Sequence, residues 1–235
     1  MSYLNAGANA VVSDLPGEAK ASFIRRTYGH LAGAIAAFAL IEYQLISMGF
    51  GEQAMALLAT SKWSWLIVLA AFMGVGYVAD KWAHSGASRE LQYAGLGLYV
   101  VAQAFIFLPL IFMAQRFAPG VLENAALITG ALVAGITLTV FTTRKDFSFI
   151  GPALSIGGMV AMGVIVASIV FGFQMGMFFA AVMILFSAGS VLYTTSNILH
   201  HYHEDQHVAA SLALFSSVAL MFWYVIQFLM AFGDD

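Results

Sequence analysis

The densest set of side chains able to do chemistry lies near the C-terminus, where Asn197, His200, His201, His203, Glu204, Asp205 and His207 fall within one short stretch. Imidazole and carboxylate together form a competent ligand set for zinc, nickel or copper. If the stretch is helical, His200, His203 and His207 share one face at i, i+3 and i+7 and become candidate metal ligands. Histidines that titrate near neutrality also make it a candidate proton sensor. The competing reading is a short hydrated connection whose histidines sit among lipid headgroups.

Two other ionisable residues stand in apolar surroundings, Glu42 and His30. An ionisable group in hydrocarbon costs several kcal/mol and by default faces the interior of a bundle, so Glu42 is a functional candidate. The simpler expectation is that it reaches the outer headgroups or pairs with Lys62 or Arg116. His30 follows Arg25, Arg26 and Tyr28 and reads as an interface residue. Other catalytic patterns fail. Gly74, Gly76 and Ala79 match a loose dinucleotide fingerprint, but lack the preceding strand and the acid about 20 positions on. A retinal Schiff base needs a lysine, and intramembrane aspartyl proteolysis two aspartates, within spans that hold neither. No nucleophile and base pair is visible, so the chain is expected not to be an enzyme, and no cofactor is implied.

The elements that must carry these residues follow from composition. Of 235 residues, 61% are hydrophobic and 9% charged, where soluble domains carry roughly 25% charged residues. A net charge of -3 leaves no basic face for nucleic acid. The absence of Cys removes disulfides, thiolate nucleophiles and Cys-ligated metals. A membrane-spanning helix needs about 20 mostly apolar residues, and seven segments qualify: 27–49, 63–79, 91–114, 124–143, 149–173, 177–199 and 208–232. The predicted fold is therefore an all-α integral membrane protein, a single seven-helix domain over residues 27–235. Residues 1–26 form a polar, Gly- and Asn-containing tail with no apolar run for a signal peptide, expected to be mobile and cytoplasmic.

Lys and Arg set the orientation, because short cytoplasmic loops retain them. Lys20, Arg25, Arg26, Lys81, Arg89, Arg144 and Lys145 fall on one side, against Lys62 and Arg116 on the other. The N-terminus is expected in the cytoplasm and the C-terminus outside. Small residues four apart, Gly29 with Gly33, Gly130 with Ala134 and Gly172 with Gly176, are expected to let helix backbones approach closely.

Three stretches carry a resemblance: Phe23 to Leu31 (FIRRTYGHL), Thr142 to Gly151 (TTRKDFSFIG) and Thr195 to His200 (TSNILH). With seven spans in the same order, the chain resembles the Bax inhibitor-1 family, in its bacterial YccA-like branch, over residues 20–233. The second stretch is the most specific, and has a physical reason. Arg144 and Lys145 suit an anionic inner leaflet, while Asp146 and Ser148 can cap the following helix. The resemblance implies six helices surrounding a central, very hydrophobic seventh, 208–232. It also implies two kinds of function. Some members are proton-sensitive calcium leaks gated by an acidic pair on helices six and seven; the bacterial branch looks like substrates and modulators of FtsH-type membrane proteases, with the N-terminal tail as the handle.

The chain departs from the leak pattern where it matters. After Tyr193, where leak members carry an acid, stand Thr194, Thr195, Ser196 and Asn197, and 208–232 contains no carboxylate. Calcium wants six to eight oxygens, usually including carboxylates, so the di-acid mechanism is not supported. Thr194, Ser196, Asn197, Ser216 and Ser217 can still form a neutral seam of interhelical hydrogen bonds. The expected function is a non-enzymatic inner-membrane accessory protein, partnered by the bilayer and by a membrane protease or larger complex. The alternative is a pH-responsive calcium or proton leak using Glu42, His30 and the seam, with the His200–His207 stretch as gate.

Overall fold

The computed structural model describes residues 11–85 and 88–233, which are helical with no named strand. The helices are α1 (Gly17–Ser47), α2 (Phe50–Ala59), α3 (Lys62–Ala83), α4 (Arg89–Phe117), α5 (Val121–Thr143), α6 (Gly151–Phe171), α7 (Gly176–His200) and α8 (His207–Gly233). All but α2 are long and apolar enough to cross a membrane, so each of the seven expected spans is present.

The largest boundary difference is at α1, which begins at Gly17, ten residues before the expected start. Phe23, Thr27, Leu31, Ala34, Phe38 and Glu42 are its buried residues. They recur every three or four positions, so one stripe faces the bundle along the whole helix. Charged neighbours at 18, 20, 25 and 26 hide its first part from a search for apolar runs. The expectation of a mobile tail over residues 1–26 is corrected for residues 11–26. Val12 is fully buried and its N–H donates to Tyr202 O at 2.9 Å, while Val11 bridges His203. Residues 1–10 lie outside the described residues.

Helix α2 is not expected from the sequence, being too short and too mixed to register as a span. Gly49, at φ 81, reverses the chain into it. Gly51 then lies so close to α4 that a Cβ there would run into the Phe112 ring.

The seventh span is central, and it shares the interior with a second helix. Helix α8 packs on α1, α3, α4, α5 and α7, while α4 packs on α1, α2, α3, α5 and α8. Half of the most apolar window of α8 is buried and 56% of that of α4, against 6% for α3 and α6. Phe107 of α4 joins the two interior helices, its ring 4.9 Å from Trp223 and 5.9 Å from Phe222. Such association is driven by close packing rather than by the hydrophobic effect, since lipid tails are as apolar as the partners.

The close approaches are not the expected ones. Nothing stands within 4 Å of where a Cβ would lie on Gly29, Gly33 or Gly130, and Gly172 and Gly176 serve a turn at φ 75 and 63. The tight approach of one helix backbone to another is at Gly95, where a Cβ would lie 2.6 Å from Ala79 O and 2.8 Å from Ala83 N. Four-residue spacing marks small residues, but not which direction they face.

Candidate functional site

The polar side chains gather at the end of the bundle where α1, α4, α6 and α8 begin and α3, α5 and α7 finish. Helix α5 ends on Arg144, which adopts φ 52, the one positive φ of a non-glycine among the described residues. The chain then turns through Lys145 and Asp146. Asp146 Oδ1 accepts the Ser148 N–H at 2.8 Å, as a helix-starting cap does. That backbone N–H holds the Asp146 carboxyl below the usual carboxylate range, and the nearby His201 and His200 act in the same direction. Fully buried Ser196, from the last turns of α7, accepts the Phe147 N–H through Oγ at 2.8 Å. Gly151 leaves room for the Tyr193 ring, 2.8 Å from where a Cβ would stand. Two of the three stretches that carry the resemblance, 142–151 and 195–200, therefore lock onto one another.

The connection from α7 to α8 is a second knot. Asn197 O accepts the N–H groups of both His201 (2.8 Å) and Tyr202 (3.2 Å), ending α7. His203 is extended, at φ -97 and ψ 162, and a short 3-10 turn spans Glu204–Gln206. Gln206 Oε1 accepts the His203 N–H at 3.0 Å, and α8 starts at His207. The stretch is not one helix, which corrects the premise that put His200, His203 and His207 on one face. The His200 Nδ1–H donates to Ser196 O at 2.9 Å, and His201 approaches Asp146 at 3.4 Å. His207 turns inward, its ring 5.2 Å from that of His30. No group of three or more metal-ligating side chains comes together among the described residues.

Other segments converge on this knot. The Val12 N–H meets Tyr202 O, Lys20 Nζ donates to Ser13 O at 2.7 Å, and the His84 ring, from the α3–α4 connection, lies 6.1 Å from Tyr202. Burial pushes the Tyr202 hydroxyl up to about 12. Sequence reasoning misses Val12, His84, Tyr202 and Gln206. The signal available is Val11-Val12, an apolar pair in a polar tail, which marks a docking point.

Arg25 and Arg26 are exposed on α1 one turn before His30. The His30 Nδ1–H donates to Arg26 O at 2.6 Å, and its Nε2 stands 3.1 Å from the Tyr93 hydroxyl of α4. His30 is thus fixed between two helices, α1 and α4.

Deeper in the bundle, Glu42 is 4% exposed, and neither carboxyl oxygen has a hydrogen-bond partner. The expected pairing with Lys62 or Arg116, or reach to headgroups, is corrected. The ion pairs among the described residues are His84 with Asp80 and His201 with Asp146. The expected seam is real only in part. Thr194 and Ser190 each meet the Ser217 hydroxyl at 3.1 Å. Ser216 instead turns to Tyr99 of α4 at 2.8 Å, and Ser196 serves the loop. Asn197 Oδ1 is buried without a partner. Hydroxyls that satisfy one another tie helices together. The chemistry of the basic end is of the same kind, joining loops and presenting charge.

A sequence model of the family described as "Inhibitor of apoptosis-promoting Bax1" matches residues 20–234. An uncharacterized protein of Pseudomonas aeruginosa is 29% identical over 218 residues, 90% of each chain. A protein of Escherichia coli named Modulator of FtsH protease YccA is 36% identical over 91 residues, 38% of this chain and 41% of its own. Protein LIFEGUARD 4 of Arabidopsis thaliana is 27% identical over 142 residues, 57% of this chain and 55% of its own. No solved structure matches.

Proposed function

The chain belongs to the Bax inhibitor-1 family of multi-pass membrane proteins, and from that premise we propose that it is a non-enzymatic accessory protein of a bacterial inner-membrane complex, first of all an FtsH-type protease. The observation that carries this reading is the anchored N-terminal segment. Val12, buried against the α7–α8 connection, fixes the N-terminal segment to the basic end of the bundle. A protease or its regulator then meets an anchored N-terminal segment beside a polar platform of cross-linked loops. The likeness to the protein named Modulator of FtsH protease supports the same partner. Seven of the nine Lys and Arg residues stand at this end, and by the positive-inside rule that asymmetry supports a cytoplasmic side here, with the C-terminus in the periplasm. Single cysteines at positions 2 and 234, labelled from opposite sides of the membrane, test that orientation.

The test of function is co-isolation in mild detergent from native membranes. Residues 11–20 are part of the packed structure, so the informative deletion is 2–10 alone. It should remove the protease while leaving the bundle folded. Protease recovered equally with the deleted chain rejects the tail as handle. Glu42 favours a second reading, a cation leak, since an unpartnered buried carboxyl is an ion-pathway candidate. Glu42→Gln should then change calcium or proton flux into liposomes, and unchanged flux removes that reading.

A further inference from the structure

A groove of about 620 Å³ opens between α1 and α4, running from Arg25 and Arg26 at the basic end to Ile41. It exists because side chains are missing. Gly29 and Gly33 on α1 and Gly97 on α4 line it, and none has an atom within 4 Å of where its Cβ would be. Buried Ala34, Leu96 and Val100 make its wall apolar. From Gly29 to Ile41 α1 rises about 18 Å, on the order of one leaflet of a hydrocarbon core about 30 Å thick. An apolar slot of that length, open along its side, suits a lipid tail.

Its mouth is cationic. Arg25 and Arg26 have no carboxylate partner among the described residues. The His30 ring beside them is fixed by Arg26 O and the Tyr93 hydroxyl. A guanidinium presents a planar fork of donors that matches phosphate oxygens. Two such forks above an apolar slot one leaflet deep complement a phosphodiester joined to an acyl chain. Because no carboxylate is paired with either arginine, net negative charge on the headgroup is favoured over a zwitterion. We infer that the α1–α4 groove is a binding site for one anionic glycerophospholipid, its phosphate on Arg25 and Arg26 and one acyl chain along Gly29, Gly33 and Gly97.

The test is native mass spectrometry of the purified full chain after reconstitution with an equimolar mixture of phosphatidylglycerol and phosphatidylethanolamine. One phosphatidylglycerol should be retained in preference to phosphatidylethanolamine. Two exposed guanidiniums are removed in R25Q/R26Q, which should fold normally and lower that preference about tenfold, the scale of losing charge-assisted bonds to phosphate. The G33L/G97L variant should retain neither lipid, its arginines intact. If it fails to fold, Gly33→Cys in the otherwise cysteine-free chain, alkylated after purification with a bulky maleimide, fills the same slot. Equal retention of both lipids by the native chain overturns the inference, as does undiminished phosphatidylglycerol on R25Q/R26Q. So does lipid retained after the slot is filled. Cross-linking of a second copy through Gly33→Cys in native membranes would also overturn it, assigning the groove to a protein partner.

Discussion

At the basic end of the bundle the connections touch one another. The α5–α6 junction hangs from Ser196 of α7, His201 reaches Asp146, and the N-terminal segment seats Val12 on Tyr202. At the opposite end three of the four turns carry a glycine of positive φ, Gly49, Gly120 and Gly172 at 81, 83 and 75, and the fourth, at Thr60 and Ser61, is closed locally. Hydrogen bonds there stay within a turn, as in Gly49 N to Ile46 O, Val121 N to Ala118 O and Gly172 N to Ser168 O. The difference separates two tasks. Glycine turns connect helices at little steric cost and define no surface between them. Cross-linked loops commit polar groups and backbone strain to holding a fixed one, which is what recognition by another protein requires.

The comparison breaks most severely at Gly95, whose contact with α3 sets the distance between two helices of the basic end. Gly95→Leu should destabilise the fold by about 3 kcal/mol or more, the upper range for overpacking, read as lost monodisperse protein in detergent. Val12→Asp acts locally. Forfeiting a buried valine and placing a carboxylate there costs about 2 kcal/mol or more. The N-terminal segment should become sensitive to limited proteolysis while thermal unfolding of the bundle changes little.

Ser196→Ala leaves the Phe147 N–H without its acceptor, worth about 1–3 kcal/mol, with faster amide exchange at Phe147 as the readout. Glycine-to-alanine exchange sharpens the contrast. Gly120→Ala should destabilise by about 1 kcal/mol, because its φ disfavours a Cβ. Arg144→Gly should gain about 0.5–1 kcal/mol by relieving the same strain. Thermal shift in one detergent measures both signs.

The smallest effect is in pH. The folded Asp146 carboxyl is held below its ordinary range. Its contribution is thus present above the unfolded carboxylate value and lost as pH falls through the folded one. Asp146→Asn should lower stability slightly at neutral pH and flatten the acid limb, so that the two profiles converge as pH falls.

The seven spans are legible in the sequence because crossing hydrocarbon demands about twenty mostly apolar residues in a row, a pattern that water-facing helices do not sustain. The first ten residues of α1 are not, since their buried Phe23 stands among the charged Glu18, Lys20, Arg25 and Arg26. Helix α2 is too short to stand out. A helical period misplaces the histidine stretch because the chain reverses within it, and Asn197 O and Gln206 Oε1 cause that reversal through contacts that no spacing encodes. The motif 142–151 can be recognised, and its capping by Asp146 foreseen. Its dependence on Ser196, some fifty residues away, is a property of the packed bundle. Glu42 can be singled out as unusual, but its lack of a partner is visible only in three dimensions.

The central claim is that the basic end, and not the opposite one, meets the protein partner. A photo-reactive amino acid placed at exposed Asp205 in the α7–α8 connection, and separately at exposed Glu52 on α2, tests it in native membranes. An FtsH-type protease should cross-link from position 205 and not from 52. Cross-linking from 52 alone, from both positions equally, or from neither would contradict it.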